Sequence, residues 1–99
     1  MRALWAALSI LVVSTGANAD DLCNKTAQVA REVMKARQSG VPIDVMLGAA
    51  EKQKNGFDLL TRQLVINAYE VERRYSPPSQ DREVVEFGNQ AYLICAKAQ

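Results

Sequence analysis

Histidine is absent from the 99 residues, cysteine occurs only twice, and aromatic residues make up 6% of the chain. Without an imidazole, Ser-His and Cys-His nucleophilic machinery is excluded, together with the commonest metal ligand. Two cysteines, if bridged, leave no thiolate-rich zinc site either. The five glycines stand far apart at positions 16, 40, 48, 56 and 88, so no glycine-rich phosphate cradle is present. Long apolar runs are also missing. The longest is "ALWAALSILVV", and a membrane-spanning helix needs about 20 such residues.

That run follows the single positive charge of Arg2 and closes on the small-residue pattern Ala17, Asn18, Ala19. This is the layout of a secretory signal peptide, residues 1–19, followed by one domain, residues 20–99. A bacterial lipoprotein would carry small residues directly before its acylated cysteine. Cys23 instead follows Asp20, Asp21 and Leu22, so the mature chain is expected to be soluble, without membrane insertion, in the periplasm or secreted. Cleavage after Ala19 removes Arg2, one of 12 basic residues, and leaves 11 basic against 11 acidic ones.

Neutrality removes polyanionic partners, because binding nucleic acid needs an excess of Lys and Arg on one surface. Arg73, Arg74 and Tyr75 are the only stretch that suggests a phosphate contact, and Glu70 and Glu72 stand beside them. An ordinary solvated helix end accounts for them. "NKT" at 24–26 matches the glycosylation sequon, but a three-residue pattern beside a cysteine inside a helical stretch is a chance match.

An oxidising compartment favours pairing of the two cysteines. Periodicity supports it. A first helix at about 21–38 places Cys23, Ala27, Ala30 and Met34 on one stripe, and Gly40 and Pro42 end it. A last helix at about 80–97 places Val84, Phe87, Gly88, Ala91, Ile94 and Cys95 together. Laid antiparallel, Cys23 faces Cys95, Ala27 faces Ala91, Ala30 faces Gly88 and Met34 faces Val84. Small residues oppose small residues beside the proposed bridge, as they must if two Cα atoms are to approach within about 4.4 to 6.8 Å. A redox-active dithiol would need accessible thiols, and neither a C-x-x-C motif nor a polar setting is present.

Between these helices lie a short one at about 43–53, starting near Asp44 and ending at the Asn55-Gly56 turn, and a longer one at about 57–75. The latter carries Phe57, Leu60, Leu64, Ala68, Val71 and Tyr75 on one face, with Asp58 to Arg62 and Glu70 to Arg74 as supporting i,i+4 pairs. "SPPSQ" forces a turn, with Ser79 as N-cap of the last helix. Nothing alternates like a strand. The expected fold is an all-α, small antiparallel bundle of four helices, the second short, stapled by one disulfide between first and last helix.

The remaining chemistry is carboxylate. Glu83 with Glu86, or Glu70 with Glu72, would have to act as acid and base, yet each falls in charged, helix-forming surroundings rather than in a burying cleft. No catalytic, cofactor-binding or metal-binding residue is assigned, and the expectation is a protein that is not an enzyme. One face remains unexplained: Leu59 and Ile66 point about 180° from the core stripe of the third helix when residues turn about 100° each. Tyr69 and the stem of Arg62 lie near them. Either the short second helix or a loop covers this back, or Leu59, Arg62, Ile66 and Tyr69 form a surface for a protein partner or a second copy of the chain.

"MKARQSGV" at 34–41 and "AYEVERRYSPPSQDREVVEFGNQAYLICAK" at 68–97 resemble small exported helical proteins of Gram-negative bacteria and their prophages. The resemblance implies a secreted, cysteine-paired helical protein and supplies no catalytic residue. Small helical periplasmic immunity proteins of the type VI secretion system are similar in build, at the level of fold alone. Three functions follow as expectations. The first is a binding module of inhibitor or immunity type for an envelope or phage-encoded protein. The others are a periplasmic stress chaperone and, against the lack of a deep pocket, a carboxylate-based hydrolase.

Overall fold

A computed structural model describes the backbone of residues 2–53 and 56–99, and side chains from Ala19 onward except at 54 and 55. Four helices occur in order: α1 (Arg2–Gln38), α2 (Ile43–Glu51), α3 (Asp58–Tyr69) and α4 (Pro77–Ala98). No strand occurs among the described residues. α1 begins at Arg2 rather than near residue 21. Its Ala- and Leu-rich start has high helix propensity and contains no proline to break it, so the expected cleavage position after Ala19 falls inside a continuous helix.

The antiparallel seam between α1 and α4 is as the sequence predicts. Cys23 and Cys95 are bonded across it, with Cα atoms 5.4 Å apart. Ala27, Ala30, Met34, Val84, Gly88 and Ala91 are all buried along it. Gly88 is required by a neighbour the periodicity did not identify: a Cβ there would lie 2.6 Å from Cγ of Arg31. The core continues through Val33 of α1, Leu64, Val65 and Ala68 of α3, and Phe87 of α4. α2 packs chiefly on α3, and α3 on α1, while α3 and α4 scarcely touch. Two separate openings result, one on either side of α3.

Helix ends account for most departures from expectation. α1 stops in a Schellman arrangement, with the Val41 N–H donating to the Ala36 carbonyl and the Gly40 N–H to Arg37. Gly40 takes a φ of +89°, which only glycine adopts without strain. α2 ends at Glu51, not 53; Asn55 of the expected turn lies outside the described residues, and Gly56 has a φ of +83°.

α3 ends at Tyr69 rather than 75, so Val71 packs against the core from a loop and Tyr75 is fully exposed instead of sharing the apolar stripe. Ser76 precedes a proline and is extended, at φ −103° and ψ 145°, because Pro disfavours helical geometry in the residue before it; this restriction leaves residues 70–75 unrestricted. Side chains of α1 bind the freed backbone: Arg37 Nε donates to the Val71 carbonyl at 3.0 Å, and the buried Gln38 amide donates to the Glu72 carbonyl at 3.0 Å and accepts from the Arg74 N–H at 2.8 Å.

α4 starts at Pro77 with Ser76 as its N-cap, the Ser76 Oγ accepting from the Ser79 N–H at 3.3 Å. Ser79 is therefore the residue capped, not the cap. Pro77 and Pro78 fill the first turn, where no N–H is needed. The expected i,i+4 pairs are replaced by others: Arg62 of α3 meets Glu51 of α2 at 3.6 Å, and Arg74 meets Glu83 of α4 at 3.1 Å and, within its own loop, Glu72 at 3.6 Å.

Candidate interaction surface

The residues singled out on the back of α3 divide between two environments. Tyr69 turns toward the α1–α2 connection, where its hydroxyl donates to the Val41 carbonyl at 2.5 Å and its ring receives the Arg37 guanidinium 5.2 Å from the centroid. Burial raises the Tyr69 phenol above its ordinary pKa, and the Arg37 charge opposes that rise without cancelling it. Arg62 is tied to Glu51 at the end of α2. Beside it, the Thr61 hydroxyl donates to the Gln53 amide oxygen at 2.7 Å. Ile66 is half-buried. Leu59 alone stands clear, 76% exposed. The segment running from Val41 to Gln53 thus engages Tyr69 and Arg62, the two polar members of this face.

Leu59 stands in the first turn of α3, at the end of the bundle where other helices also leave apolar side chains uncovered. The part of α1 around Leu22, the start of α3 and the end of α4 meet at one end of the bundle, joined by the Cys23–Cys95 bond and by a shared groove. Leu22 is 40% exposed, Leu93 53% and Ile94 68%. Between α3 and α4 lies an open groove of about 320 Å³, with Leu60 and Leu64 on one wall, Ala91 and Ile94 on the other, and Leu22 and Cys95 at its base. No Asp, Glu, Lys or Arg side chain lines it, although 23% of the chain is charged. The groove joins Leu60 and Leu64 of α3 to Ile94 of α4 and Leu22 of α1, residues that the stripes of single helices do not bring together.

A second opening of about 400 Å³ lies between α1 and α2, with Val29, Val33, Met46 and Ala50 beside Glu32 and Gln53. At the opposite end of the bundle, Arg73 rests against Gly40 and donates to the Gln38 carbonyl at 3.4 Å. The Arg73–Arg74 pair is thus occupied with the C-terminus of α1 and with Glu83. Asn24 is exposed, while Thr26 of the sequon is buried and donates to the Leu22 carbonyl at 2.9 Å. Among the described residues no group of three His, Cys, Asp or Glu side chains gathers to hold a metal, and no helix is long and apolar enough to cross a membrane. The bonded cysteine pair is compatible with an oxidising compartment. Comparison with family models, curated proteins and solved structures finds no match to this chain.

Proposed function

We propose that this is a non-enzymatic, exported binding module, periplasmic or secreted, that acts on another protein of the envelope or of a phage in the manner of an inhibitor or immunity protein. What supports this reading is the apolar surface left uncovered at the disulfide-bonded end, where Leu22 and Ile94 border a groove lined by no charged side chain and Leu59 and Leu93 are exposed on α3 and α4. Contiguous apolar surface of this kind, presented by a small rigid domain, is characteristic of protein interaction sites. Anchoring α1 to α4 beside it keeps the surface in one arrangement, which reduces the ordering cost of association. Leu59 and Ile94, both exposed, are the expected hot spots. The test is cross-linking followed by affinity capture from periplasmic extract. The native protein should retain a partner, or a second copy of itself, that the Leu59→Glu/Ile94→Glu variant loses while keeping its helical content. Equal capture by both proteins removes this surface from the function.

A further inference from the structure

The two sulfurs of the disulfide have different surroundings. Cys23 sits within the α1–α4 seam with 2% of its surface exposed, between Ala27 on its own helix and the last turns of α4. Cys95 is half-buried and forms part of the base of the groove between α3 and α4. Leu60 and Ile94 line this groove together with Cys95, while Cys23 does not line it. Exchange requires a thiolate to approach one sulfur along the S–S axis, so access decides which sulfur is attacked and which one leaves.

We propose that Cys95 is the sulfur through which this disulfide exchanges with small thiols and dithiol carriers, and that Cys23 is the leaving group. In reduction, an incoming thiolate attacks Sγ of Cys95. The new S–S bond forms as the Cys95–Cys23 bond breaks, and the electron pair leaves on Sγ of Cys23, which takes up a proton from solvent. A second thiolate then displaces Cys95 from the mixed disulfide. Two thiols are thereby oxidised to one disulfide, and one cystine is reduced to two cysteines. Closure of the staple by a disulfide-bearing oxidant runs the same path in reverse. Cys95 carries the mixed disulfide, Sγ of Cys23 attacks it, and the reduced carrier leaves as its thiolate. No Asp or Glu side chain lines the groove to repel the incoming thiolate.

The folded wild-type protein, treated briefly with limiting 2-mercaptoethanol, quenched in acid, blocked with N-ethylmaleimide and mapped by peptide mass, tests this directly. The mercaptoethanol adduct is expected on the Cys95 peptide in at least about tenfold excess over the Cys23 peptide, with the excess falling to within about twofold in guanidinium. Equal labelling of the two cysteines in the folded protein, or an adduct chiefly on Cys23, overturns the proposal. The single variants give a second measurement. The Cys95 thiol of Cys23→Ser should react with an aromatic disulfide reagent at least about ten times faster than the Cys23 thiol of Cys95→Ser. If neither variant folds, the mapping of the wild type decides.

Discussion

The two ends of the bundle are held by opposite means. At one end a covalent bond joins Cys23 to Cys95, and around it lie apolar side chains that no other element covers. At the other, the chain between α3 and α4 is held by hydrogen bonds from α1: Arg37 to Val71, Gln38 to Glu72 and Arg74, and Arg73 back to Gln38. The polar end has satisfied its backbone groups internally. The apolar end has given up such closure, and the disulfide supplies the rigidity that burial would otherwise provide. A small chain thus keeps an uncovered surface in a fixed shape by stapling it rather than packing it.

Removing the staple is the severest way to break this contrast. The bond closes a loop with a sequence separation of 72, and the chain-entropy relation assigns such a loop about 4 kcal/mol. Cys23→Ala/Cys95→Ala should lose stability in that range, read as a fall in denaturant midpoint. Thiol titration of the intact protein should find no free thiol before reduction.

Next in size is the polar end. Gln38 is 3% exposed and both donates and accepts, so Gln38→Ala should cost about 1 to 3 kcal/mol by stranding the Glu72 carbonyl and the Arg74 N–H. Amide exchange should accelerate at residues 71–75 and not at the disulfide end. Acceleration spread evenly over both ends would mean that they do not act separately.

A similar cost of about 1 to 3 kcal/mol is expected for Ala27→Leu or Gly88→Leu, because either forces α1 and α4 apart beside the bond. If Ala27→Leu leaves the thermal midpoint unchanged, the seam is not packed as described.

Tyr69→Phe is smaller, at about 0.5 to 1.5 kcal/mol for the lost bond to Val41. It also carries a pH signature. The phenol is raised in the folded state, so its contribution is fully present below the ordinary phenol pKa and is lost as pH rises through the folded one. Alkaline titration above about pH 10 should destabilise the wild type more than Tyr69→Phe.

The seam was legible in the sequence because it rests on a repeating relation. Four residue pairs on two apolar stripes fix one antiparallel register, and a slip of one turn would have opposed Cys23 to a residue that cannot bond it. The polar end was not legible. Val71 continues the apolar spacing of α3, so nothing local marks Tyr69 as its last residue; the backbone beyond it is bound instead by side chains more than 30 positions earlier in sequence. Gln38 looks like an ordinary polar residue in a last turn until its loop partners are in place. The apolar end was half legible. Leu59 stood out of phase on its own helix, but Tyr69 and Arg62 are held by Val41 and Glu51, and the groove beside α3 takes its walls from Leu60, Leu64, Ile94 and Leu22 on three helices.

The most direct test of the claim that the stapled end displays apolar surface, rather than burying it, is the thermal unfolding of Ile94→Glu followed by circular dichroism. Ile94 is 68% exposed, and a displayed side chain should tolerate the charge with a change within about 0.5 kcal/mol of wild type. A loss of about 2 kcal/mol or more would mean that the substitution has placed an unpaired charge inside a packed core, and the distinction between the two ends would not stand.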